Sequence, residues 1–79
     1  MDIYFEIENS NDIEYLTELE KFVDIDIANV GKDSDVIKGM KAKMVNMSVE
    51  QMEEERMDEF LKLKKTIQDR ISELKKGKI

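Results

Sequence analysis

Residues 2–8 read DIYFEIE, and the period assigned to them decides the class of the fold. Ile3, Phe5 and Ile7 alternate with Tyr4, Glu6 and Glu8, the period-two pattern that predicts a half-buried strand. Working outward, Asn9, Ser10 and Asn11 form a turn cluster, and Asn11 with Glu14 has the spacing of a helix capping box. Ile13, Leu16, Leu19 and Val23 then recur at helical spacing, with Tyr15 and Phe22 widening the apolar face. An amphipathic helix over residues 12–23 is expected. Alternation returns at 24–30, where Ile25 and Ile27 are interleaved with Asp24 and Asp26 before Asn29 and Gly31 break the pattern. A second short strand is expected there, and pairing it with the first would give a βαβ unit on short linkers.

The second half of the chain is helical in pattern throughout. Ser34 or Asp35 can cap a helix expected to bury Val36, Ile37, Met40 and Met44 and to turn Lys38 and Lys41 outward. Gly39 weakens that helix by ~1 kcal/mol relative to alanine. The segment SVEQMEEERMDEFLKLKK, residues 48–65, carries the strongest signal. Ser48 and Gln51 fit a capping box, and Met47 with Met52 occupies the two positions of a hydrophobic staple. Nothing interrupts this helix before Gly77, a natural residue just past a helix end. The expected fold is therefore α+β and predominantly helical, one small domain over residues 1–79. It has an N-terminal strand, a short helix, a second strand, and two helices, the last a long amphipathic helix over 48–77.

Composition removes most chemistry. Cysteine and histidine are absent from the 79 residues, so there is no disulfide framework, no thiol nucleophile, and none of the commonest general base or zinc ligand. The segment DIDIANVGKDSD, residues 24–35, has carboxylates at the first, third and twelfth positions of a calcium-loop frame. Ala28 and Asn29, however, replace the fifth-position ligand and the required glycine. Gly31-Lys32 lacks both the upstream glycine and the following hydroxyl of a phosphate loop. No catalytic, cofactor-binding or metal-ligating residue is assigned, and the chain is not expected to be an enzyme.

Formal net charge is −6, and its excess sits in residues 1–24, with eight acids against one base. The lysines at 32, 38, 41 and 43 form a small cluster, but an acidic chain without a reading motif argues against direct nucleic-acid binding. The acidic start MDIYFEIENS contains no apolar run of signal or membrane-span length, so a cytoplasmic protein without a membrane partner is expected.

What remains is contact with another macromolecule. On a helical projection Val49, Met52, Phe60, Leu63, Ile67, Ile71 and Leu74 share one stripe, interrupted by Arg56. From Phe60 onward it has coiled-coil a/d spacing for barely two heptads. Such a stripe covers either the chain's own core or an interface between chains. The function expected is a small acidic protein–protein interaction module, an inhibitor or regulatory accessory protein of a bacterium or phage, that occupies a target surface through its long helix. Phe60, Leu63, Ile67, Ile71 and Leu74 would make the contact, and Glu53, Glu54, Glu55, Asp58 and Glu59 would steer a protein partner with a basic surface. Near the limit of size at which one core suffices, self-association is a second reading. A homodimer of antiparallel C-terminal helices would set Glu50–Glu59 against Lys62–Lys78. Third is an acidic nucleic-acid mimic built on Asp2, Glu6, Glu8, Asp12, Glu14, Glu18, Glu20 and Asp24.

Two details bear on these readings. Five of the six methionines lie between Met40 and Met57, where they would fill a core first and otherwise line a groove between the last two helices. The order of charges along 48–65 complements the helix dipole, and Asp58 with Lys62 is a favourable i, i+4 pair. Their density is not so explained: Glu50 with Glu54, Glu54 with Asp58 and Glu55 with Glu59 are like-charge i, i+4 pairs that oppose the helix.

Overall fold

The computed structural model describes residues 2–77 and is built of four helices: α1 (Ile3–Asn9), α2 (Ile13–Asn29), α3 (Asp35–Met44) and α4 (Val49–Lys76). Among the described residues there is no strand, so the expected α+β class gives way to an all-helical one. Met1 and Ile79 at the ends of the expected domain, and Lys78 of the expected basic segment, lie outside the described residues.

Both expected strands are helical for the same physical reason. Positions i and i+4 share a face in a strand and in a helix alike, and only i+2 separates the two periods. Ile3 and Ile7 turn inward, Ile7 being fully buried, whereas Phe5 between them is 62% exposed. In the second case Val23 and Ile27 pack inward while Ile25 is 55% exposed. The helix expected to stop at Val23 therefore runs on to Asn29. Without strands there is no βαβ crossover.

Each helix start has an oxygen in place to accept an orphan amide. Asp2 accepts from the Tyr4 amide at 3.0 Å and opens α1. The cap of α2 is Asp12, which accepts from the Tyr15 amide at 3.1 Å; Asn11, the cap expected, is displaced by one residue into another role. Arg70 of α4 reaches over to it, donating from a terminal nitrogen to Asn11 Oδ1 at 3.0 Å and from Nε to the Ser10 carbonyl at 2.9 Å. One guanidinium thus pins the α1–α2 turn to the long helix. Ser34 caps α3, and Ser48 with Gln51 makes the full reciprocal capping box on α4. Gly77 ends α4 in right-handed conformation, φ −72°, without the left-handed turn for which glycine is favoured at that site.

The α4 helix is the spine of an elongated molecule, 51 × 20 × 17 Å. Ile7, Leu16, Val23 and Ile67 form the buried centre, joined by Ile3, Leu19, Ile27, Phe60, Leu63, Ile71 and Leu74 at its margin. The C-terminal stripe of α4 is thus covered by α1 and α2, with α2 packing along it most extensively and α3 least. Asp24 of α2 and Lys64 of α4 form an ion pair at 2.6 Å across this contact. The hydrogen bond to Asp24 holds the Lys64 ammonium above the ordinary lysine range.

Two turns set where α3 lies. Gly31 has φ +82°, a left-handed conformation that glycine adopts without steric cost. After α3, Asn46 takes φ 55°, the Met47 amide donates to the Ala42 carbonyl at 3.0 Å and the Asn46 amide to the Lys43 carbonyl at 3.2 Å. This is a Schellman closure with asparagine in the left-handed position. It delivers the chain directly into the Ser48 cap of α4.

Candidate protein-interaction surface

The orientation of α3 is the reverse of what its sequence predicts. Val36 is 73% exposed, Met40 62% and Met44 84%, and Ile37 also faces solvent, while Lys38 and Lys41 are half-buried. With about 3.6 residues per turn, Val36, Ile37, Met40 and Met44 fall within an arc of about 100°, and Ala42 lies nearly opposite its centre. Ala42 is the one buried residue of α3. The contact with α4 is made on the thin side of the helix, where small and basic residues stand, and the apolar side is left uncovered. Lys41 and Lys43 border the apolar arc on its two flanks.

An ion pair lies on the inner side of α3. Lys38 Nζ lies 3.2 Å from Glu53 Oε1 with both side chains mostly enclosed. That oxygen is buried without a directed hydrogen bond, so the ammonium holds it by charge alone. The methylenes of Lys38 can cover α4 while its head reaches the carboxylate. On the neighbouring flank Lys41 pairs with Asp33 at 2.8 Å, and the Lys41 ammonium holds the Asp33 carboxyl below the usual carboxylate range. Both lysines expected to point to solvent are therefore tied back to their own chain.

The exposed face of α3 continues through Val45 into an open groove between the end of α3 and the first turns of α4. The groove is lined by Val45, Met47, Met52, Glu55, Arg56 and Glu59. The methionines are divided accordingly: Met40 and Met44 are exposed, and Met47, Met52 and Met57 are half-buried.

The residues singled out by sequence fall into two sets. Phe60, Leu63, Ile67, Ile71 and Leu74 come together, but on the inner face, Ile67 being fully buried. Of the acids, Glu53 is engaged with Lys38, whereas Glu54, Glu55, Asp58 and Glu59 are exposed and none of them enters an ion pair among the described residues. The expected Asp58–Lys62 pair is not made; Lys62 instead stands over the ring of Tyr4, 5.6 Å from its centre. The eight N-terminal acids are partly occupied as well, since Asp2 and Asp12 cap helices and Glu18 and Asp24 pair with Lys21 and Lys64.

What sequence reasoning assigned to the core, and the structure places on the surface, is the set Val36, Ile37, Met40 and Met44. One signal could have found it: Ala42, a small residue opposite the apolar arc, lets another helix approach closely. Among the described residues no group of side chains is placed to hold a metal ion, and no helix is long and apolar enough to cross a membrane. Comparison of the chain with protein-family models, curated proteins and solved structures gave no match.

Proposed function

We propose that the chain is a small acidic protein-interaction module of the cytoplasm, without catalytic chemistry of its own, that works by occupying a surface of a partner protein. One observation carries the reading: the four large apolar side chains of α3 face solvent while Ala42 and Lys38 stand on the side toward α4. Burying a side chain of that size is worth roughly 1.5–3 kcal/mol, so a covering partner gains what the isolated fold leaves unused. The contact surface is the α3 face with the groove of Val45, Met47 and Met52. Glu54, Glu55, Asp58 and Glu59 beside it steer a partner with a basic surface, an effect on encounter rate that salt weakens.

This moves the contact away from Phe60, Leu63, Ile67, Ile71 and Leu74, which a partner could reach only by displacing α1 and α2. A homo-oligomer of antiparallel C-terminal helices meets the same obstacle. Action as an inhibitor or regulatory accessory protein of a bacterium or phage fits a chain that offers a surface and no reactive group. The test is capture of partner from the native host by wild type and by a Met40→Glu, Met44→Glu variant. Both positions are exposed, so the variant is expected to keep its circular dichroism and lose capture. Undiminished capture by the folded variant removes α3 as the contact.

A further inference from the structure

We infer that the occupant of the α3 face is a second copy of this chain, packed about a two-fold axis across the junction of α3 and α4; this rests on the reading of that face as a contact surface.

Surface area makes the first case. The accessible surface is 6087 Å², against about 5,000 Å² for a compact monomer of this mass, 9.3 kDa. The excess, about 1,100 Å², is comparable with the ~800 Å² that one partner contributes to a standard interface. The radius of gyration of 15.5 Å likewise exceeds the roughly 12 Å of a compact chain of this length. A chain this small buries little core alone, and its three fully buried large side chains, Ile7, Leu16 and Ile67, all lie toward the α1–α2 end of α4. The α3 end has only Ala42 buried.

Charge makes the second. By helix geometry Lys43 lies on one flank of the α3 apolar arc, and Glu55 and Glu59 line the adjoining groove on α4 with Arg56 between them. In an isologous interface the same patch meets itself, so a two-fold axis between flank and groove sets the lysine of each copy on the glutamates of the other. Both signs are then satisfied twice, and Met40 and Met44 are covered by the partner's Val45, Met47 and Met52. Glu55 and Glu59 are also one of the like-charge i, i+4 pairs that helix stability leaves unexplained. A lysine from the second copy relieves that repulsion.

Sedimentation equilibrium of the full chain from about 5 to 300 µM, concentrations that bracket a micromolar dissociation constant, decides the matter. The mass is expected to rise toward twice 9.3 kDa, and Met44→Glu, Lys43→Glu and the double variant Glu55→Lys, Glu59→Lys are each expected to weaken association at least tenfold, because like charges then face each other. The signature of the two-fold arrangement is that Lys43→Glu mixed with Glu55→Lys, Glu59→Lys recovers association as a heterodimer, since both charge contacts are again opposite in sign. Association indifferent to all these changes overturns the inference, as does wild type that remains a monomer throughout. In a monomer, the effect of a soluble paramagnetic agent on the Met40 and Met44 methyl resonances separates the two failures. Strong broadening leaves the face open to a foreign partner and sinks only the dimer, whereas protection sinks the contact surface itself.

Discussion

Phe5 and Ile25 are the residues that separate the two readings of this fold. Each stands midway between two inward-facing residues four apart, Ile3 and Ile7 in one case and the nearly buried Val23 with Ile27 in the other. A strand would bring the middle side chain inside with its neighbours; a helix turns it about 160° away. The exposure of both marks the helix, and it predicts opposite outcomes for adjacent substitutions. Phe5→Ser should change stability by less than about 1 kcal/mol, as exposed positions ordinarily do, whereas Ile7→Ala should cost about 2–5 kcal/mol through lost burial and the cavity left behind. Urea unfolding of the two variants provides the check, and a heavy loss at Phe5 would contradict the helical α1. The expectation drawn residue by residue held for the caps of α3 and α4 and missed that of α2, which Asp12 rather than Asn11 supplies. Ser34, one of the two caps expected for α3, and Ser48 with Gln51 on α4 act as expected, because a cap needs only its own next three residues. The strand expectation failed at 2–8 and 24–30 because those runs are too short for periods of 2.0 and 3.6 to diverge at more than one position.

At the scale of elements, α3 carries the functional argument, and its weakness is part of it. Ten residues are too few to be a stable helix alone, and its contact with α4 rests on Ala42 and the Lys38–Glu53 pair rather than on its apolar side chains. Gly39 adds to the weakness, since a Cβ built there meets nothing within 4 Å. Gly39→Ala is therefore expected to stabilise the chain by ~0.5–1 kcal/mol through helix propensity, measured as a higher urea midpoint at unchanged slope. Destabilisation instead would mean that some surface packs closely on α3 at that point. The amphipathic pattern of α3 was legible in the sequence, and so was its start at Ser34 or Asp35, which the structure resolves to Ser34. The direction it faces was not, because periodicity states that one side of a helix is apolar and says nothing of which neighbour covers it. Here Ala42 and Lys38 form the inner side, an arrangement set by where Gly31 and Asn46 aim the chain.

For the molecule as a whole, the long helix α4 is at once scaffold and boundary. Its C-terminal half closes the core with α1 and α2, and its N-terminal half carries α3 and the exposed carboxylates. Ile67→Asp places an uncompensated carboxylate in the fully buried centre and is expected to unfold the chain outright, seen as loss of helical circular dichroism at 25 °C, because such burial costs several kcal/mol against the 5–15 kcal/mol of a typical domain. A folded Ile67→Asp chain would show that this stripe is free for a partner after all. The extent of α4, its capping box and its acidic-to-basic order were legible in the chain, since each depends on residues within one or two turns of one another. The tertiary structure alone decided that the Phe60–Leu74 stripe is core and that Val36, Ile37, Met40 and Met44 are surface. The physical reason is competition: two apolar helix faces were on offer to a small core. The one on α4 could be covered by α1 and α2 together, leaving the face of α3 without a cover of its own.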